Sequence, residues 1–75
     1  MTVVAHVREA LLTSPIAGIR ALHVDSDGDR VVLSGTVASF YYKQLAQELA
    51  RRFADGIQVV NMVSVEYPST DFAFD

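Results

Sequence analysis

The fold of this chain is decided by residues 27–39, which read Asp-Gly-Asp-Arg-Val-Val-Leu-Ser-Gly-Thr-Val-Ala-Ser. The pair Asp27-Gly28 predicts a tight hairpin turn, because glycine adopts the positive φ that such a turn requires. Over residues 31–37 one set of positions, Val31, Leu33, Gly35 and Val37, alternates with a second set, Val32, Ser34 and Thr36, which is the pattern of a half-buried strand. Ser39 is the expected N-cap of a helix that begins at Phe40. A turn, a strand and the start of a helix therefore follow one another in this stretch.

The composition is that of a small domain with a packed core. The chain has 75 residues, of which 51% are hydrophobic and none is cysteine, so neither a disulfide framework nor a thiolate metal site can form. A formal net charge of −3 argues against a general nucleic-acid binder, because such domains carry a basic excess. No apolar run approaches the roughly 20 residues that a membrane-spanning helix needs. The first residues lack the basic start of a signal peptide, so the chain as given is expected to be cytoplasmic.

Outward from residues 27–39, the apolar pattern predicts the remaining elements. They are a first helix over residues 3–13, a first strand over 21–25, a second strand over 30–37, a second helix over 40–54 and a third strand over 58–67. Thr2 is the expected N-cap of the first helix, and Pro15 ends it before a connection over residues 16–20. Gly56 is expected to supply the left-handed position after the second helix. The buried face of that helix is expected to consist of Tyr42, Leu45, Ala46, Leu49, Ala50 and Phe53.

The order α-β-β-α-β predicts the arrangement of these elements. A tight hairpin makes the first two strands antiparallel, and the helical crossover favours a parallel pair of the second and third strands. We therefore expect an α+β domain with a three-stranded mixed sheet and two helices packed on one face. The other sheet face is left open and is expected to carry Ala21, His23, Val32, Ser34, Thr36, Met62, Ser64 and Glu66.

The sequence predicts no catalytic, cofactor or metal site, and hence no enzyme. Residues 25–29 alternate acidic side chains as a calcium loop does, but an EF-hand loop needs a glutamate at its twelfth position, where this chain has Thr36. His6 and His23 lie on different elements without companion ligands. None of the serines stands in the Gly-x-Ser-x-Gly pattern of a nucleophile elbow. A solvated acidic hairpin tip is the expected role of residues 25–29.

Two groups of residues are candidates for binding. Lys43, Gln47 and Arg51 recur every four residues along the second helix, with Arg52 beside them, and such a ridge can contact lipid phosphates. The alternative is an ordinary solvated helix face. The second group is aromatic and consists of Phe40, Tyr41, Phe72 and Phe74. We expect Phe72 and Phe74 to dock on the open sheet face or on a neighbouring copy, because exposed phenylalanines lower solubility.

The pattern resembles the BON domain, named for bacterial OsmY and nodulation proteins. The resemblance rests on the Asp-Gly hairpin, Val31-x-Leu33-Ser34-Gly35-x-Val37, the Ser-started helix and Val60-Asn61-x-Val63-x-Val65. It implies the fold deduced above over residues 1–67, with a C-terminal tail over 68–75. Gly35 would let the second helix approach the sheet, and Asn61 would be a turn or edge position. The resemblance also implies a non-catalytic binding module, commonly exported to the bacterial envelope.

Two functions from different classes follow. The first, implied by the resemblance, is binding of phospholipid or another hydrophobic ligand, with Lys43, Arg51 and Arg52 as headgroup candidates. The second is protein interaction or self-assembly through the open sheet face, a free strand edge and the aromatic tail with Phe72 and Phe74. The partners expected are thus a phospholipid surface, another protein or a second copy, and nucleic acid is not expected because no Gly-x-x-Gly loop with basic neighbours is present.

Overall fold

Two helices, a β-hairpin, a third helix and a last strand follow one another in the computed structural model, which describes residues 2–66. These elements are α1 (Thr2–Leu12), α2 (Ala17–Arg20), β1 (His23–Asp27), β2 (Arg30–Val37), α3 (Phe40–Phe53) and β3 (Val59–Val65). The strands form one mixed sheet in the order β1-β2-β3, with β1 antiparallel and β3 parallel to β2. The α+β class and the mixed sheet expected from the sequence are confirmed.

The hairpin turn is made by Gly28 and Asp29, because Asp27 still pairs with Arg30. Gly28 has a φ of 65° at the first turn position, where type II′ hairpins need glycine. This pairing extends β1 to Asp27, whereas the sequence pattern ended the first strand at Asp25. At its other end β1 begins only at His23, since the amide of Leu22 still donates to the carbonyl of Ile19.

The core lies between one sheet face and the helices α1 and α3. The buried residues of α1 are Val4, Val7, Ala10 and Leu11. From the sheet, the fully buried side chains include Val31, Leu33 and Val63. α3 contributes Ala46 and Ala50, whose small side chains allow the helix backbone to lie close to the sheet.

The residue that approaches Gly35 closely is Leu22, whereas the expected neighbour was the second helix. Its φ is 125°, and a Cβ built there would lie 2.8 Å from Cδ2 of Leu22. The resemblance assigned this glycine to the approach of the second helix. The structure instead places the chain just before β1 against it, because Leu22 folds over the inner face of β2 to join the core.

The connection over residues 16–20 contains a helical turn, α2, which the sequence pattern did not predict. The carbonyl of Ile16 accepts the amides of Ile19 and Arg20, at 3.0 and 3.1 Å. The turn is held to the end of α1 by Arg20, whose Nη1 donates to the carbonyl of Ser14 at 2.7 Å. Burial of Ile19 in the core stabilises this turn despite the low helix propensity of Gly18.

Three further boundaries differ from the sequence expectations. α1 begins at Thr2, so this residue lies inside the first turn and is not the N-cap. After α3, Asp55 already has a φ of 56° and Gly56 follows with 82°, so the left-handed C′ position belongs to Asp55. β3 covers residues 59–65 instead of 58–67, and Pro68, its expected terminator, lies outside the described residues.

The start of α3 is as predicted. The hydroxyl of Ser39 accepts the amide of Tyr42 at 3.1 Å, and the helix begins at Phe40. Of its predicted buried face, Ala46 and Ala50 are fully buried, and Tyr42, Leu45 and Leu49 are partly buried against the core. The expected burial of Phe53 is wrong, because this residue is 44% exposed. It lies in the last turn of α3, where it lines a surface hollow beside α1 instead of the core.

Candidate functional site

The six basic residues fall into two groups of three. Arg8 donates to the carbonyl of Val24 at 2.8 Å, Arg20 to that of Ser14, and Arg30 pairs with Asp27 at 2.6 Å. These three guanidinium groups are held by the fold. The other three residues, Lys43, Arg51 and Arg52, all lie on α3, and within residues 2–66 their side chains have no hydrogen-bond or ion-pair partner. Among residues 2–66, the basic side chains without such a partner therefore all lie on α3.

The three cations of α3 do not form one ridge. Nine residues separate Lys43 from Arg52, which is about 2.5 turns and places them on opposite sides of the helix. Arg51 lines a hollow of about 380 Å³ between α3 and the start of β3, with Gln47 and Val59. Arg52 lines a different hollow on the α1 side. The structure thus brings Lys43, Gln47 and Arg51 together on the β3 side and separates Arg52 from them.

The β3 side of α3 is organised by Asn61. Its Nδ2 donates to the carbonyl of Lys43 at 3.0 Å and to Oε1 of Gln47 at 3.1 Å, and its Oδ1 accepts the amide of Val63 at 3.1 Å. The resemblance implied only a turn or edge position here. A signal was present in the sequence, because Asn61 is a polar residue in the inward set of an otherwise apolar alternation that includes Val59 and Val63.

The side chains of Asn61 and Arg8 bind the two edge strands of the sheet, one of which was expected to be free. β1 and β3 are the two edge strands of the sheet. On β3, the amide of Val63 points away from the sheet and donates to Oδ1 of Asn61. On β1, the carbonyl of Val24 points away from the sheet and accepts a hydrogen bond from Arg8. Each edge is therefore partly closed at its centre by a side chain that joins it to the helix layer, a common protection against edge-to-edge pairing.

The α1 side of α3 is more apolar. A hollow of about 290 Å³ lies between the end of α1, α2 and α3, and Leu45, Leu49 and Ile16 are among its lining residues. Glu48 and Arg52 also line it. A second hollow of about 280 Å³, lined by Phe53 and His6, shares Ala10 and Thr13 with the first. Together they form a shallow groove, here called the α1–α3 groove.

Exposed aromatic side chains stand at the first turn of α3. Phe40 is 56% exposed and Tyr41 is 68% exposed. The ring of Tyr41 contacts that of Tyr42, with the centroids 5.7 Å apart. The outer surface of α3 thus carries aromatic rings at one end and Arg51 and Arg52 at the other.

The open sheet face is present and has an apolar centre. Val32 of β2 pairs with Val60 of β3, and the next residue outward on β3 is Met62, which is 64% exposed. His23, Ser34, Thr36 and Ser64 surround this centre. Ala21 is exposed but precedes β1, so it does not belong to the sheet.

Groups that could support chemistry are not gathered anywhere in the described part of the chain. No three histidine, aspartate or glutamate side chains of residues 2–66 lie close enough to hold a metal ion. His6 is on α1 and His23 on β1, and the hairpin acids Asp25 and Asp29 are exposed. Across the same residues, no helix is long and apolar enough to cross a bilayer. Phe72 and Phe74 lie outside the described residues.

The comparison with known families agrees with this geometry. The family model described as BON domain matches residues 2–67, which is almost the whole chain. The chain belongs to the BON domain family. A search of curated proteins finds no match. As a family, BON domains are non-catalytic binding modules associated with phospholipid or with protein partners. In this BON domain, cations and exposed aromatic rings lie on α3, and the open sheet face carries the exposed side chain of Met62.

Proposed function

We propose that this BON domain is a non-catalytic module that attaches to anionic phospholipid surfaces through the outer side of α3. The observation that carries the proposal is the separation of the basic residues into three held by the fold and three, Lys43, Arg51 and Arg52, that lie on this one helix. Exposed Phe40 and Tyr41 on the same helix add the aromatic groups that favour the membrane–water boundary.

The dimensions of α3 suit a helix that lies along the membrane surface. About 16 Å of helix axis separates Tyr41 from Arg52, at 1.5 Å per residue. Aromatic rings at one end can therefore enter the headgroup boundary while the arginines at the other end contact phosphates. The α1–α3 groove, with Arg52 among its lining residues, offers a place for an apolar chain attached to such a headgroup.

The expected affinity is modest. Each basic group near an anionic surface contributes about 1 kcal/mol, so the three cations of α3 together supply about 3 kcal/mol. Seven acidic residues among the described ones oppose this attraction, and the three on the hairpin are Asp25, Asp27 and Asp29. Attachment should therefore be weak for one domain and should depend strongly on salt.

Vesicle co-sedimentation tests the proposal. The protein is mixed with vesicles of phosphatidylcholine alone and with vesicles that also contain phosphatidylglycerol, at low and at high salt. We expect binding to the anionic vesicles at low salt, reduced binding at high salt, and little binding to the neutral vesicles. Failure to bind the anionic vesicles at low salt would overturn the proposal.

Protein interaction through the open sheet face is a second candidate. It is supported by the apolar pair Val32–Val60 and by exposed Met62, which form a flat centre with a polar rim. For self-association through this face, light scattering should show a mass that rises with concentration and returns to that of a monomer in Met62→Lys. A monomer at all concentrations would contradict self-association.

A further inference from the structure

The surface between the edge of β3 and α3, crossed near its middle by the side chain of Asn61, is here called the β3-edge groove. Lys43 and Arg51 stand along its helix side, with Gln47 between them, and the 380 Å³ hollow marks its end near Val59. On the other side of the strand, Val60 and Met62 belong to the open sheet face. The β3-edge groove thus has cations on one flank and apolar side chains on the other.

The C-terminal residues carry a complementary pattern. Residues 71–75 read Asp-Phe-Ala-Phe-Asp, so an extended segment places Asp71 and Asp75 on one side and both phenylalanines on the other. Four extended residues span about 13 Å, which is the distance between the two carboxylates along such a segment. Eight helical residues span about 12 Å, which is the distance between Lys43 and Arg51 along α3. The two charge spacings match.

The position at which the segment starts is also suitable. The amide of Glu66 donates to the carbonyl of Val37 at 2.9 Å, so the chain leaves the sheet next to the start of α3. Pro68 and Ser69 follow, and both residue types favour turns. A chain that reverses there and returns along β3 reaches Lys43 first and Arg51 last. This is the order in which Asp71 and Asp75 occur.

We propose that residues 67–75 occupy the β3-edge groove of their own chain. In this arrangement Asp71 faces Lys43, Asp75 faces Arg51, and the rings of Phe72 and Phe74 lie against Met62 and Val60. Side-chain contacts hold the segment, because Asn61 already occupies the Val63 amide and interrupts a complete ladder of backbone hydrogen bonds. One extended segment would thus pair with the cations on one flank of the groove and cover the apolar side chains on the other.

Ring-to-methyl nuclear Overhauser contacts in the full chain test this placement without any lipid. We expect contacts from Phe72 and Phe74 to the methyl groups of Met62 and Val60. These contacts should be lost in the double variant Asp71→Asn/Asp75→Asn. They should persist in Asp25→Asn/Asp29→Asn, which removes the same charge from the exposed hairpin.

Each other outcome overturns the proposal. Ring contacts to Leu45 or Leu49 would place the segment in the α1–α3 groove, and an absence of ring contacts would mean that it does not dock. Contacts that appear only between differently labelled molecules would assign the groove to a second copy. If the contacts are unchanged in Asp71→Asn/Asp75→Asn, the proposed charge pairs do not hold the segment. Because no lipid is present, this test succeeds or fails independently of the phospholipid proposal.

Discussion

The side-chain amide of Asn61 donates to the backbone carbonyl of Lys43 at 3.0 Å and so joins the edge strand β3 to α3. The same side chain also binds Gln47 and the amide of Val63. One residue therefore fixes the helix that carries the candidate cations relative to the edge of the sheet.

Replacement of Asn61 by Ala should destabilise the domain by about 2–3 kcal/mol, since three part-buried hydrogen bonds are lost and each contributes about 1 kcal/mol. Urea unfolding measures the change. Ser64→Ala, at an exposed position of the same strand, is the control and should change stability by less than about 0.5 kcal/mol. Equal stability of the two variants would mean that the Asn61 contacts do not hold α3.

Gly35→Ala should destabilise the fold by about 2 kcal/mol or more, because the new Cβ meets Leu22 at 2.8 Å and the φ of 125° is unfavourable for alanine. Gly18→Ala is the matched control. No atom lies within 4 Å of a Cβ at Gly18, which is in α2, so this change should be neutral or stabilising by about 0.5–1 kcal/mol. Thermal unfolding of both variants checks the difference in sign.

Ser39→Ala should lower stability by about 1 kcal/mol, because the amide of Tyr42 loses its capping oxygen. Ser39→Asp restores an acceptor at the helix N-terminus and should recover most of the loss. Denaturant unfolding of the three proteins decides the point. If Ser39→Asp is as unstable as Ser39→Ala, the cap contributes little.

If both proposals hold, Asp71→Asn/Asp75→Asn should bind anionic vesicles more tightly than the unaltered chain, by about three- to tenfold. The reason is that Lys43 and Arg51 no longer face carboxylates of their own chain. Asp25→Asn/Asp29→Asn removes the same charge at the hairpin and serves as the control for net charge. An identical gain in both double variants would show that only net charge matters.

The parts of the fold that are determined locally could be predicted from the sequence. The hairpin, β2, the Ser39 cap and the start of α3 follow from residues 27–39, since turn chemistry and alternation act over a few neighbours. Phe53, at the end of α3, is exposed although its spacing predicts burial, because its side chain lies on the α1 side of the helix, where it lines a surface hollow. The spacing of apolar residues along a helix cannot show which of them the neighbouring elements leave uncovered.

The candidate site was harder to predict for a related reason. Spacing correctly placed the three cations on one helix, but their division between two flanks depends on where α1 and β3 pack. The role of Asn61 depends on the carbonyl of Lys43, a partner 18 residues away. The contact of Gly35 with Leu22 likewise joins two segments whose approach is a tertiary property.

The central claim is that the outer side of α3 binds anionic phospholipid, and one vesicle titration tests it most directly. The dissociation constant for phosphatidylglycerol-containing vesicles is compared for Arg52→Gln and Arg30→Gln, which change the net charge equally. We predict about fivefold weaker binding for Arg52→Gln and a smaller change for Arg30→Gln, whose guanidinium is held by Asp27. Equal effects of the two substitutions would contradict the account.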